Sequence, residues 1–247
     1  MTGPAPGRRS RLARLAVASG AALLCAAFAA LGSWQLQRLQ WKTALIAQVD
    51  RRVHAAPVAA PAADAWATLS KAKDEYRHLR LTGRFLGELA TPVQASTELG
   101  SGYWLLTPFC SDDGAIVMVN RGFVPKAPAQ AAGQARGPAC SLGTGGAGIT
   151  GLLRMSEPGG AFLRHNDVAA ERWYSRDVAA IAAARGLPRV APYFLDQDAA
   201  SNAMAAAPVG GLTVISFNNN HLVYALTWFA MGLMAAGACI MVVREQD

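Results

Sequence analysis

A histidine heads the second of two long apolar stretches of the chain. His221 precedes Leu222, and no residue from there to Val243 is charged before Arg244 closes the run. At 100° per residue, a helix starting at His221 places Tyr224, Trp228, Gly232 and Ala235 within roughly 60° of it. That face offers a ligating imidazole nitrogen, then flat aromatic surface, then small residues. Two readings fit it. The imidazole can serve as a metal ligand beside aromatic walls. Alternatively, His221 is an interfacial polar residue, residues 218–220 (Asn-Asn-Asn) cap the helix, and Gly232 and Ala235 pack against the small-residue row Ala18, Ala22, Ala26 and Ala30. A second pair of chemistry-bearing residues is Arg38 and Lys42, one helical turn apart, which suit acidic ligand groups, anionic lipid headgroups or simple interface anchoring.

Other motifs carry less. Cys25 and Cys239 lie inside apolar runs and read as small apolar residues. Cys110 and Cys140 lie between those runs and can pair in an oxidising compartment, whereas no CxxC or CxxCH spacing is present. Residues 143–148 (GTGGAG) fit G-x-G-x-x-G. No strand leads into them and no helix follows, so they read as the end of an Ala/Gly/Pro-rich loop over 126–148. GxSxG, HExxH and P-loop patterns are absent. Glu157 and Asp167 have no partner recognisable in the sequence and read as solvated surface carboxylates. No constellation supports an enzyme.

The elements that hold these residues follow from where charge is missing. Only 16% of the 247 residues are charged, against about 25% in an ordinary soluble domain. Residues 15–37 and 199–243 carry no charge, while residues 38–198 carry 32 charges. This excludes both a wholly soluble protein and a polytopic transporter. The net charge of +7 also partitions, with Arg8, Arg9, Arg11 and Arg14 in the N-terminal tail and 18 basic against 14 acidic residues in the middle. Nearly balanced charge, without interleaved arginines and aromatics, speaks against nucleic acid.

Residues 15–37 would span about 34 Å as a helix, enough for the roughly 30 Å hydrocarbon core. A cleaved signal with Ala27-Phe28-Ala29 as its processing site is the rival, but the run continues to Trp34. Trp34 near the exit of the first span, and Tyr224 and Trp228 near the entry of the second, put both aromatic belts on one membrane face. The N-terminal arginines put the tail in the cytoplasm. The expected order is a cytoplasmic tail (1–14), a transmembrane helix (15–37), an extracytoplasmic domain (38–220), a second transmembrane helix (221–243) and a cytoplasmic tail (244–247).

Within the middle section, the first helix continues amphipathically to about Val53, and Ala/Pro-rich residues 54–67 read as a linker. Alternation predicts a strand within 76–86, and strands at 103–109 and 115–124 are joined through Ser111-Asp112-Asp113-Gly114 as a hairpin. Further strands are expected at 149–154, 193–196 and 212–216, and a helix at 177–185 with Asp177 as N-cap and Gly186 as C-cap. The fold class expected is α+β: two terminal transmembrane helices flanking a mainly antiparallel β domain, as an open sheet or partly closed barrel, of about 165 residues.

Six segments, in order, resemble the Surf/Shy family of cytochrome c oxidase assembly factors. They are LGSWQLQRLQWKTALI (31–46), YRHLRLTGRFL (76–86), GYWLLTPF (102–109), VNRGFVP (119–125), SEPGGAFLRHNDVAAERWYSRDVAAIA (156–182) and NNHLVYALTWF (219–229). Departures are Phe123, where the family pattern has Trp, and the Ala/Gly-rich insert before Ile149. The resemblance implies a non-enzymatic, two-span protein of the bacterial plasma membrane, with both termini cytoplasmic and the central domain periplasmic. It further implies partners in oxidase subunit I, other assembly factors and membrane lipid, and assistance in delivering haem a. In bacterial members the histidine of the last motif is the proposed ligand of the haem iron, which is His221 here, with Tyr224 and Trp228 as its neighbouring surface. An axial nitrogen, aromatic walls and room for a macrocycle are what a haem requires. A membrane-anchored scaffold for oxidase assembly that never binds haem is the alternative the same resemblance allows.

Overall fold

The structure, a computed structural model, describes residues 7–128, 140, 146–160, 164–199, 208–213, 215 and 217–244. The chain divides into two compact units, residues 1–48 with 216–247, and residues 49–215.

The first unit holds two long helices. α1 (Gly7–Val53) ends where the sequence places its amphipathic extension, and α4 (His221–Arg244) starts at the histidine. Residues Leu15–Val53 of the former and His221–Met241 of the latter are long and apolar enough to cross a membrane.

The second unit is β-rich. Its strands are β1 (Val58–Ala59), β2 (His78–Phe85), β3 (Thr91–Thr97), β4 (Gly100–Ser111), β5 (Ile116–Val124), β6 (Ala147–Met155) and β7 (Val190–Gln197), ordered β1-β2-β6-β7-β5-β4-β3. β2 also pairs with β4, through Gly83↔Ser111, Arg84↔Cys110 and Phe85↔Phe109, and this closes the five central strands into a barrel. Gly83 permits the closure: its φ is +154°, and a Cβ there would run into the Cys110 carbonyl.

Most strand pairings are antiparallel, as expected, but not all of them. The barrel is closed, and β5 joins β7 in parallel, as β1 joins β2. The sequence between β5 and β7 holds β6, a central strand paired with β2 and β7, and a helix, so β7 returns to β5 in the same direction by a crossover. Three further differences concern individual elements. Residues 54–67 are not a bare linker, because they contain β1 and the start of a 3₁₀ turn over Ala63–Thr68. β3 had no expected counterpart: Thr91, Val93 and Ala95 are buried with period 2 but are small, and Pro92 is tolerated because β3 is an edge strand. Residues 212, 213 and 215 form no strand, with 214 and 216 outside the described residues. Of the glycine-rich motif, residues 143–145 lie outside the described residues, and β6 already begins at Ala147 and pairs with β2.

Alternation along the strands makes two cores. Leu79, Leu81, Phe109, Val117, Val119, Ile149, Leu153, Tyr193 and Leu195 fill the barrel. The opposite side chains, among them Leu106, Ile116, Met118 and Phe194, pack outward against Trp173 and against α3 (Val178–Ala184). Asp177 caps α3 by accepting from the Ala180 N–H at 3.1 Å, and Gly186 follows the helix at φ +62°. At the helix end, buried Arg185 donates to Glu171 through both terminal nitrogens, at 2.8 and 2.7 Å, and to the Thr91 hydroxyl at 3.1 Å.

Cys110, at the end of β4, forms a disulfide with Cys140, with Cα atoms 5.5 Å apart. The bridge ties the long β5–β6 connection to the barrel wall across 30 residues. Cys140→Ser should therefore lower the unfolding free energy of the protein by about 2–4 kcal/mol, as read by denaturant unfolding under non-reducing conditions, and the same loss should appear in the unaltered protein on reduction.

Candidate functional site

α1 and α4 meet along a heptad seam. On α1 the less exposed positions are Ala18, Ala21, Cys25, Phe28, Gly32, Gln35 and Leu39, and on α4 they include His221, Ala225, Trp228, Gly232, Ala235 and Cys239. Both sets step by three and four residues, the spacing of knobs-into-holes packing. The contacts run antiparallel: Cys239 Sγ reaches the Ala18 carbonyl at 3.6 Å, Gly232 lies on Phe28, the Trp228 ring stacks on Phe28 at 5.8 Å, and His221 meets Gln35. Gly32 is required by close approach, since a Cβ there would enter the Phe229 ring.

This seam revises the face expected from 100° spacing. His221, Trp228, Gly232 and Ala235 lie on it, but Tyr224 does not: its side is 54% exposed, and Ala225, 1% exposed, takes its place. Ala22, Ala26 and Ala30 of the expected small-residue row are also exposed, and only Ala18 lies in the seam. The physical reason is angular position: at 100° per residue Tyr224 lies about 60° from His221 at the edge of the face and Ala225 about 40° on the other side, and a row that steps only by four residues rotates about 40° per step off the seam.

His221 sits at the first position of α4, with Nδ1 2.7 Å from Gln35 Oε1. An amide oxygen only accepts, so Nδ1 carries a proton, and in the neutral ring Nε2 keeps its lone pair. Gln35 was not singled out as a site residue. The available signal was a polar residue at a seam position of an otherwise apolar helix pair. Nearby, Lys42 donates its ammonium to the Asn218 carbonyl just before α4, and the Arg38 guanidinium lies over Trp41 at 4.6 Å. The group at this helix end therefore comprises one available imidazole nitrogen, an exposed tyrosine, a packed tryptophan and two cations.

The barrel unit carries a second polar constellation that no spacing announced. Buried Asp196 on β7 accepts from Asn120 at 2.8 Å, Arg154 at 3.0 Å, Arg176 at 3.2 Å and the Thr213 hydroxyl at 3.0 Å. Arg154 also reaches Glu75 at 2.9 Å and Glu157 at 3.2 Å, and Arg176 forks onto Glu157 at 2.9 and 2.7 Å. Burial works against the Arg154 charge, but Asp196 and Glu75 outweigh it and hold the guanidinium above its ordinary pKa. Glu157 is thus an ion-pair partner and not a solvated group. Asp167 does lie at the surface, where it pairs with Arg172 at 2.7 Å. The cluster lines a cleft of about 480 Å³ with Trp104 on its wall. Its donors and acceptors are spent on one another, so it acts as a clasp joining β5, β6, β7 and the 208–213 segment.

The chain matches the SURF1 family over residues 22–233, a stretch that includes both Gln35 and His221 and the whole barrel unit. The chain belongs to the SURF1 family. It is similar to Surfeit locus protein 1 of Mus musculus, 34% identical over 222 residues that cover 83% of this chain and 68% of that protein. The Homo sapiens protein of the same name is 33% identical over 223 residues, covering 83% and 70%. A SURF1-like protein of Monosiga brevicollis is 31% identical over 231 residues, covering 87% and 83%.

Two measurements test the clasp of this SURF1-family chain. Asp196→Ala removes the shared counter-charge of two half-buried guanidiniums that keep Glu75 and Glu157, and should cost about 1.5–3 kcal/mol in urea unfolding. Asp74, at the end of α2 (Lys71–Asp74), reports acid sensitivity next to the clasp residue Glu75. Burial tends to raise its carboxyl, but the Ser70 N–H at 2.9 Å and Arg77 at 2.8 Å outweigh this and hold it below the usual carboxylate range. Its contribution is complete above the unfolded value of about 4 and is lost as pH falls through the lower folded value. Asp74→Asn should therefore show a smaller loss of stability than the unaltered protein between about pH 5 and 2.

Proposed function

We propose that this SURF1-family chain is an assembly factor for haem-copper cytochrome c oxidase, held in a bacterial plasma membrane by α1 and α4, that carries haem a as cargo toward subunit I. The observation that supports this reading is the Gln35–His221 hydrogen bond. A histidine that ligates a metal usually donates its other ring N–H to an acceptor that fixes the tautomer. Gln35 is such an acceptor, and Nε2 of His221 is left as the nitrogen for the haem iron. Exposed Tyr224 would offer flat surface to the macrocycle and Trp228, braced on Phe28, would back it, while Arg38 and Lys42 would meet the propionates. The role is one of holding and handing over, with no catalytic residue assigned.

The topology is part of the proposal: both termini cytoplasmic and residues 38–220 periplasmic, with membrane lipid around the helices and other oxidase assembly factors as partners. The arginines at 8, 9, 11 and 14 support a cytoplasmic N-terminus. The Cys110–Cys140 disulfide suits an oxidising compartment.

The test is purification of the full-length protein from cells that make haem a, followed by absorption spectroscopy. His221→Ala should copurify without haem while the barrel unit keeps its unfolding midpoint. Gln35→Leu should keep the ligand but lower haem affinity by roughly 10–100-fold. Equal haem content in His221→Ala and the unaltered protein would defeat the ligand assignment. Oxidase that forms in reduced amount but with its full haem a, in cells lacking the protein, would favour the scaffold that never touches haem.

A further inference from the structure

Three buried side-chain atoms lack a hydrogen-bond partner among the described residues: Thr107 Oγ1, the Tyr193 hydroxyl and Asn219 Oδ1. Of these residues, Tyr193 lines a cleft. It is 0% exposed, sits inside the barrel beside Leu81 and Val117, and forms part of a pocket of about 230 Å³ at one barrel mouth. A buried hydroxyl without a partner costs more than it contributes, and phenylalanine would fill the same space without that cost.

The rest of the mouth consists of acceptors and aromatic surface. Asp112 and Asp113 come from the β4–β5 turn, and Asp113 Oδ1 is occupied by the Ala115 N–H at 3.0 Å, which leaves its second oxygen for the cleft. Trp66 packs on the barrel core from the connection before β2, its indole N–H donated to the Pro61 carbonyl at 3.1 Å, so that the ring presents only its apolar surface. Arg80 shares the rim and, among the described residues, forms no ion pair with either aspartate. Burial pushes the Tyr193 phenol up, with Asp113 adding to the effect and Arg77 opposing it, so the group remains a neutral O–H with acceptor lone pairs.

We propose that this barrel mouth binds a primary ammonium group on a short alkyl stem, with the ammonium shared between the Tyr193 oxygen and the Asp112 and Asp113 carboxylates and the stem laid against Trp66. Three N–H donors match three acceptors, and the net negative rim with an aromatic wall is the environment in which an alkylammonium is desolvated at least cost. The volume admits one such stem. The site is separate from His221 and stands whether or not haem is carried there.

Calorimetric titration of the full-length protein in detergent with n-butylammonium, and with Nα-acetyl-lysine methylamide, tests the site. Binding of both is expected. Equal affinities identify a free small amine as the occupant class, and a tenfold or greater preference for the lysine amide identifies a lysine side chain of a partner. Tyr193→Phe should weaken either probe at least tenfold while the thermal midpoint stays level or rises, and Asp113→Asn should weaken it similarly with the turn intact. The proposal falls if neither probe binds at millimolar concentration, if Tyr193→Phe leaves affinity unchanged, or if butyrate binds in place of butylammonium.

Discussion

Closure of β2 onto β4 is the interaction on which the barrel unit depends. Without it, the seven strands would form an open sheet whose inner face, from Leu79 to Leu195, would need another layer to cover it. With it, the sheet covers itself, and each large inward side chain gains about 1.5–3 kcal/mol of burial. The closure rests on Gly83, because only a residue without Cβ lets β2 approach the Cys110 carbonyl. Closure also creates two outward consequences. The opposite faces of β5, β6 and β7 become available for the Asp196 clasp, and the barrel end leaves the small mouth where Tyr193 lies.

The helical unit follows a different constraint. The two helices are long and apolar enough to cross a membrane, and in a bilayer such helices would have no hydrophobic drive to pair, leaving close packing and polar contacts to hold them together. Gly32 against Phe229 and Gly232 against Phe28 supply the packing. Gln35 and His221 supply the polar contact, and because it joins single positions it also sets the register of the antiparallel seam. One bond thus orients the imidazole and aligns the helices.

Much of this was legible in advance. The terminal helices, the β2, β4 and β5 strands, the turn at 111–114 and the Asp177-capped helix all follow from local signals: charge-free length, alternation, turn residues and a cap. β3 was illegible because Thr, Ala and Ser alternate without contrast in hydrophobicity, and the parallel β5–β7 pairing because no local signal specifies a long-range neighbour. Of the site, His221 and Trp228 were visible from helical spacing. Tyr224 lies outside the helix–helix stripe, which is set by the partner helix and not by the period of one helix alone.

What the sequence determined by itself is the division into charge-free helices and a charged β-rich middle, together with the position of His221 at a helix start. These depend on solvation and backbone propensity, which act over a few residues at a time. What only the tertiary structure decided is the set of partners: Gln35 for His221, Cys140 for Cys110, and Asp196 for Arg154 and Arg176. Those pairs are separated by up to 186 residues. Their formation depends on strand order, closure and seam register, which no window along the chain contains.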